Sequence, residues 1–125
     1  MSAIDQSTGK TRLRVALERA ASGGEASIGQ WMEFPGFTLA RTVASTGCDW
    51  VLVDCEHGNI SDSDMYHAIA AIAGAGASPV VRIAGSEPWM IKRALDAGAH
   101  GIMVPMCETV VSAAFRSQVR SEQIA

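Results

Sequence analysis

Three titratable side chains follow directly on an apolar run in the stretch WVLVDCEHGN, residues 50–59. They are Asp54, Glu56 and His57, and a glycine comes next. A histidine at the tip of a buried segment can move a proton near neutral pH, with carboxylates beside it. These residue types in this order indicate proton-transfer chemistry.

An arginine ends a second apolar run further along the chain. Arg82 stands in PVVRI, residues 79–83. Its guanidinium can hold a carboxylate or an enolate oxygen through two parallel hydrogen bonds. If this arginine meets the carboxylate and histidine cluster, the combination suits proton transfer on a small 2-oxo acid.

Helical and extended patterns alternate along the chain, and these elements decide whether the side chains meet. Apolar residues recur at helical spacing in some segments, and short runs such as DWVLVD are typical of strands buried on both faces. The predicted helices cover residues 11–24, 37–45, 61 or 63 to 74, 86–98 and 108–123; the predicted strands cover residues 27–34, 49–54, 79–83 and 100–105.

Strands separated by helices predict a parallel sheet in an α/β fold, here a helix followed by four βα units. In such folds the functional side chains lie in the loops after the carboxyl ends of the strands. The first strand ends near Trp31, the second delivers Asp54, Glu56 and His57, and the third delivers Arg82. We therefore expect these side chains on one rim of the sheet.

Other interpretations of the rim stay open. Asp54 and Glu56 can cap the loop that follows them, with Arg82 paired to either carboxylate. Cys55 and His57 can bind a soft metal, although no second pair of ligands is near them in the sequence.

A carboxylate late in a helix also needs an explanation. Asp96 is unfavourable there because of the helix dipole, and a hydrogen bond to a neighbouring histidine would give it a role. We interpret His67 and His100 as structural, and Cys48 and Cys107 as small core residues.

Composition excludes several classes of protein. The chain has 125 residues, 48% hydrophobic and 18% charged, with a net charge of −3 and both signs scattered. Nucleic-acid binding would need a clustered basic face, which the scattered charges do not predict. A membrane span would need about 18 consecutive apolar residues, and no apolar run in the sequence reaches that length. The three cysteines form no CxxC pair, which favours reduced thiols and a cytoplasmic protein.

Several motifs in order resemble one enzyme family. GQWM, DWVLVDCEHGN, PVVRI and IKRALDAGAHGIMVP together are similar to the HpcH/HpaI aldolase family, the metal-dependent pyruvate aldolases. The fuller forms WMEFPG, DCEHGNI and WMIKRALDAGAHG resemble its fungal, macrophomate synthase-like members most. The resemblance covers about residues 28–110.

The resemblance implies a (β/α)8 barrel, of which this chain would supply the N-terminal half, assembled as a homo-oligomer. It implies cleavage or formation of 4-hydroxy-2-oxo acids through the pyruvate enolate, and decarboxylation of oxaloacetate as a further activity. A divalent metal (Mg²⁺, Mn²⁺ or Co²⁺) would chelate the 2-oxo acid and stabilise the enolate. The family's carboxylate ligands come from later strands, so no residue here is assigned to the metal.

The resemblance also implies a role for each rim residue. His57 would be the general base, acting through a metal-bound water, and Asp96 would orient it. Asp54 would hydrogen-bond that metal-bound water.

On the substrate side of the site, the resemblance places three residues. Arg82 would bind the 2-oxo oxygen and stabilise the enolate charge. Trp31 would line the pocket, and Glu56 would have a supporting role.

The extent of the chain differs from that of the family. A full barrel needs about 250 residues, so we expect a truncated barrel domain over residues 1–125, with residues 1–11 disordered and residues 111–125 an unmatched tail. Three functions stay open: a 2-oxo acid aldolase or decarboxylase, an inactive half barrel that only associates with other subunits, and an unrelated α/β domain that binds an anionic metabolite.

Overall fold

The computed structural model describes residues 2–109, in which helices and strands alternate. In chain order the elements are α1 (Arg12–Ala21), β1 (Gly29–Met32), α2 (Phe37–Ala44), β2 (Trp50–Asp54), α3 (Asp62–Gly74), β3 (Ser78–Arg82), α4 (Pro88–Asp96) and β4 (Gly101–Met103). The four helices and four strands predicted within this range are confirmed. The further helix predicted over residues 108–123 lies almost wholly outside the described residues.

The four strands form one parallel sheet in the order β1-β2-β3-β4. Each neighbouring pair is joined through a helix, as expected for consecutive βα units. The register pairs Asp54 at the end of β2 with Arg82 at the end of β3. The α/β class and the common rim predicted from the sequence are therefore confirmed.

The core lies between the sheet and helices α2, α3 and α4. Val51, Val53 and Val81 are fully buried and contact this core. Leu52 alternates with them and is equally buried on the other face of the sheet. Burial on both faces explains why β2 is a continuous apolar run.

Local signals fix the ends of the helices. Ser61, rather than Ser63, caps α3: its hydroxyl accepts from the backbone N–H of Asp64, and the Asp64 carboxylate accepts from the N–H of Ser61. Gly98 follows α4 with φ +101°, a conformation that glycine adopts readily. The longest described helix, α3, has 13 residues, and none in residues 2–109 is long and apolar enough to cross a membrane.

Asp49, just before β2, anchors helix α1 under the sheet. Its carboxylate lies 2.8 Å from Nη2 of Arg19 and 3.5 Å from Nε of Arg12, and it accepts from the N–H of Ile28 at 3.0 Å. Burial opposes its ionisation, but the Ile28 and Arg19 hydrogen bonds prevail and hold the pKa of Asp49 below its ordinary value. Helix α1 is thus tied to the sheet by partly buried polar contacts.

A second tie to α1 runs through a buried serine in β3. Ser78 is fully buried, and its hydroxyl accepts from the N–H of Leu13 at 2.9 Å. Nδ1 of His100 lies 2.9 Å from the same hydroxyl. Burial lowers the pKa of His100, which favours the neutral ring that can accept the serine proton. The structural role predicted for His100 agrees with this contact.

The segment before α1, which composition predicts to be disordered, forms a turn over residues 2–11. Ile4 and Thr11 make an antiparallel bridge, and the N–H of Asp5 donates to the carbonyl of Lys10 at 2.9 Å. Ala3 is buried. These contacts return the chain to the start of α1.

The prediction about cysteines is half right. Cys48 is buried in the core cluster. Cys107 is exposed, so its assignment to the core is wrong. The reason is its position: it comes after β4, where the chain has left the sheet.

Candidate functional site

The site is built around an ion pair at the carboxyl ends of β2 and β3. Asp54 is fully buried, and Arg82 donates two parallel hydrogen bonds to its carboxylate. Nε of Arg82 donates to Oδ1 at 2.9 Å, and Nη2 donates to Oδ2. Both residues end neighbouring strands in register, so the sheet sets this geometry.

Asp54 accepts three further hydrogen bonds. The indole Nε1 of Trp31 donates to Oδ2 at 3.0 Å, and the backbone N–H groups of Glu56 and His57 donate to Oδ1 at 3.0 Å each. Burial works to raise the pKa of Asp54, but the bonds from Arg82, His57, Trp31 and Glu56 together hold it far below its ordinary value. Asp54 is therefore a permanent carboxylate that orders the rim.

The loop-capping interpretation is thus confirmed for Asp54, and so is its pairing with Arg82. Five donors exceed the roughly four lone-pair positions of a carboxylate. A metal-bound water that is expected to donate a hydrogen bond to Asp54 consequently finds no open acceptor in this arrangement.

Arg82 is held from three sides. Besides Asp54, its Nη1 lies 3.2 Å from Oε2 of Glu56, and its guanidinium carbon lies 4.9 Å from the centre of the Trp31 ring. The hydrogen bonds to Asp54, opposed by burial, raise the pKa of Arg82 above its ordinary value. Asp54 accepts from two of its five N–H groups and Glu56 forms an ion pair at Nη1, so N–H groups remain on both terminal nitrogens for a ligand.

A tight loop after β2 positions Glu56 and His57. Gly58 is required there, because a Cβ atom would lie 2.2 Å from the carbonyl oxygen of Asp54 and 2.9 Å from that of Glu33. The N–H of Asn59 donates to the same Glu33 carbonyl at 3.0 Å. Sequence reasoning missed this steric demand, although the glycine was visible in the motif.

His57 projects from this loop towards solvent. Its side chain is 68% exposed, and its Nε2 lies 3.7 Å from Oε1 of Glu56. The imidazole is therefore accessible to a ligand at the rim, beside the carboxylate that also contacts Arg82.

Asp96 lies away from this cluster. It is the last residue of α4, is exposed, and lines a groove between α3 and α4 together with Tyr66 and Arg93. The prediction from the sequence joined it to His57, but the structure places it on the outer helical surface. The reason is that α4 runs back from the rim, so its last residue cannot share the rim with its first.

No group of three or more His, Cys, Asp or Glu side chains in residues 2–109 is placed to hold a metal ion. Burial, together with the charges of Asp62 and Asp54, raises the pKa of Cys55 to about 11. A thiol kept protonated is a poor metal ligand. The described residues thus do not fit a metal, whether the divalent ion implied by the resemblance or a soft ion on Cys55 and His57.

Two grooves adjoin the rim that sequence reasoning did not anticipate. One, of about 230 Å³, lies between the loop after β2 and helix α4, and its lining includes Cys55, Met65 and Trp89. The other, of about 450 Å³, lies beside β1, and its lining includes Trp31 and Phe34. The side chain of Trp31 therefore borders open space.

Comparison with known proteins shows that a family model matches most of this chain. The model of the HpcH/HpaI aldolase/citrate lyase family matches residues 28–122, past residue 110, where the resemblance of the motifs ends. A 2-dehydro-3,6-dideoxy-6-sulfogluconate aldolase of Pseudomonas putida is 40% identical over 88 residues, which are 70% of this chain and 34% of that aldolase. The chain thus spans about a third of the length of the curated relatives it matches.

Solved structures agree with the fold. An HpcH/HpaI aldolase/citrate lyase family protein from Burkholderia cenocepacia J2315 superposes with a TM-score of 0.74 at 37% identity, over 82% of this chain and 41% of that one. Macrophomate synthase superposes with a TM-score of 0.66 at 26% identity, over 82% of this chain and 34% of its own. The likeness to macrophomate synthase expected from the motifs is confirmed, and the described sheet corresponds to part of each barrel.

Proposed function

This chain belongs to the HpcH/HpaI aldolase/citrate lyase family, and from that membership we propose that its rim serves carbon–carbon bond cleavage or formation in 2-oxo acids. The single observation that carries the proposal is the fixed arginine, Arg82, with N–H groups left over beside the exposed imidazole of His57. The name of the Pseudomonas putida relative describes a 2-oxo acid substrate for that enzyme.

Arg82 acts on the anionic part of the substrate. Its remaining N–H groups donate to the 2-oxo oxygen of a 4-hydroxy-2-oxo acid. As the C3–C4 bond breaks, its electron pair forms the enolate of pyruvate, and the charge that develops on this oxygen strengthens the hydrogen bonds. Preorganisation by Asp54 and Trp31 supports this role, because a donor that is already oriented needs no rearrangement during the reaction.

His57 acts on the proton. It removes the proton of the 4-hydroxyl group as the aldehyde leaves, and the enolate later takes a proton at C3 to give pyruvate. Its exposure at the rim supports access to substrate. In oxaloacetate the bond that breaks releases CO2, and Arg82 stabilises the same enolate.

A divalent metal belongs to the proposal only as an expectation from the family. When bound, such an ion would supply Lewis-acid stabilisation of the enolate. We assign none of the described residues as its ligand. We assign Asp54 to positioning Arg82, Glu56 to supporting it and Trp31 to lining the pocket. An orienting role for Asp96 would require contact between subunits of a homo-oligomer.

The experiment is oxaloacetate decarboxylation by the purified chain, supplied with Mg²⁺ or Mn²⁺. We expect turnover above the free-metal rate, and a loss of at least about a hundredfold in His57→Ala and Arg82→Ala. The matched controls are His67→Ala and Arg93→Ala, exposed residues of α3 and α4 that should leave the rate unchanged. Turnover that survives His57→Ala and Arg82→Ala would rule out this assignment.

Association without turnover is the second candidate function. The observation that favours it is the pair of edge strands, β1 and β4, which have no neighbouring strand within the described part of the chain. Exposed apolar side chains flank β1, such as Ile28 at 57% and Phe34 at 71%. A chain that associates but shows no decarboxylation above the free-metal rate would favour this candidate over the first.

A further inference from the structure

The carboxylate of Glu56 lies between the two residues assigned to the reaction. Its Oε2 is 3.2 Å from Nη1 of Arg82, and its Oε1 is 3.7 Å from Nε2 of His57. One carboxylate therefore faces both the anion-binding group and the proton-accepting group, each through a different oxygen.

The two contacts differ in kind. The contact with Arg82 has hydrogen-bond length, whereas 3.7 Å is longer than a hydrogen bond and acts through charge alone. A neutral imidazole attracts the carboxylate weakly, and an imidazolium attracts it strongly. The balance between the two contacts consequently depends on the protonation of His57.

The surroundings leave Glu56 few other positions. The side chains of Glu56 and Arg82 are only 19% and 18% exposed, and the loop is fixed by Asp54 and by the close approach at Gly58. Asp54 holds the opposite edge of the guanidinium and does not move with this balance. A small displacement of the Glu56 carboxylate therefore changes its distance from Nη1 of Arg82.

We propose that Glu56 is a positioning residue that couples the charge on His57 to the hydrogen bonding of Arg82. When His57 takes up a proton, the Glu56 carboxylate moves towards Nε2, and the Nη1 group of Arg82 is released towards the ligand position. This coupling rests on the proposed function only in naming the ligand as an enolate. Proton uptake by the base would then strengthen the hold on the enolate oxygen in the same step.

Other charges at the rim give the matched controls. Glu33, after β1, is exposed and acts on Arg82 through charge, and its contacts do not link Arg82 to His57. His67 in α3 is an exposed histidine away from the loop. Glu33→Gln removes the same charge as Glu56→Gln, and His67→Gln removes the same residue type as His57→Gln, and neither touches the shared carboxylate.

The test records the guanidinium NMR signals of Arg82 between about pH 5 and pH 8, the range in which histidines change charge. The signals are assigned by their loss in Arg82→Lys. We expect them to shift with pH in the wild type, and the shift to vanish in Glu56→Gln and in His57→Gln. Glu33→Gln and His67→Gln should keep it.

Either of two results would overturn the coupling: signals of Arg82 that do not respond to pH in the wild type, or a response that survives Glu56→Gln. His57→Gln keeps the test decisive if Glu56→Gln fails to fold, because His57 is largely exposed and its replacement leaves the core intact. A response that survives His57→Gln would contradict the coupling as well.

The measurement needs no turnover, so it separates this inference from the proposed function. A pH response without decarboxylation would retain the coupling and remove the proposed reaction. Where turnover is present, Glu56→Gln should lower kcat by about tenfold and leave KM nearly unchanged. The reason is that the Nη1 group of Arg82, once released, donates to charge that develops only in the transition state. An unchanged kcat would contradict the coupling.

Discussion

At the scale of single residues, Asp54 fixes the position of the Arg82 guanidinium. A carboxylate with no exposed surface is costly unless its charge is matched, and here a guanidinium, an indole N–H and two backbone N–H groups match it. Removing one partner of such a pair leaves the other charge buried, which costs more than the pair itself contributes.

We therefore expect Asp54→Asn to lower the free energy of unfolding by about 3 kcal/mol, because the amide cannot satisfy every donor that now faces the carboxylate. Urea unfolding followed by circular dichroism measures this loss of unfolding free energy. Asp62→Asn is the control: its pair with Arg93 is 54% and 57% exposed, so the loss should stay below about 1 kcal/mol. Equal losses in the two variants would contradict the central role of Asp54.

The same residue makes stability depend on pH. The pKa of Asp54 is lower in the folded chain than its unfolded value of about 3.9, so the unfolded state binds more protons in acid. The stabilisation from this group is present above about pH 4 and is lost as the pH falls further towards the folded pKa. In Asp54→Asn the stability should fall less steeply below pH 4.

At the scale of elements, the loop after β2 converts a strand end into a site. The loop returns against Glu33, so the carboxyl ends of β1 and β2 are joined by backbone contacts as well as by the Trp31 indole. Gly58 makes this return possible, because any side chain there would overlap the Asp54 carbonyl.

Gly58→Ala should force the loop away from Glu33 and displace His57. We expect a loss of about 2 kcal/mol in unfolding free energy, together with loss of the pH response of Arg82. Gly74→Ala is the control, since a Cβ atom there meets nothing within 4 Å at the end of α3, and alanine should be neutral or stabilising. Thermal unfolding of Gly58→Ala and Gly74→Ala measures the difference in stability. Equal melting temperatures would contradict the requirement for glycine at position 58.

The sequence predicted the elements and the rim better than the contacts within it. Hydrophobic patterning located every described strand. It did so most directly for β2 and β3, because a strand buried on both faces has few alternatives to an apolar run. It did not place Asp96, which lies at the far end of α4 from the rim because the helix runs back from it. Two of the five donors on Asp54, the backbone N–H groups of Glu56 and His57, depend on loop geometry, which no spacing of residues specifies.

At the scale of the whole molecule, the described sheet is open on two sides. Edge strands β1 and β4 present backbone groups without a strand partner in residues 2–109, and apolar side chains lie along β1. Such edges favour pairing with another chain. The expected homo-oligomer is consistent with these edges and stays a prediction.

We expect the purified chain to self-associate with increasing concentration, as measured by sedimentation velocity. Ile28→Lys places a charge beside the open edge and should shift the distribution towards monomer. Tyr66→Lys is the matched control, because Tyr66 is 58% exposed, against 57% for Ile28, but lies on α3. A monodisperse, cooperatively melting monomer in the wild type would contradict this prediction.

The attachment of α1 has a consequence for synthesis on the ribosome. The helix emerges before β3, because the Ser78 hydroxyl that accepts from its Leu13 N–H is 65 residues further along the chain. At roughly 5–20 residues per second, translation delivers that partner about 3 to 13 seconds later. During this interval α1 can contact Asp49 but lacks its attachment to Ser78, so nascent α1 is accessible to chaperones until β3 has been made.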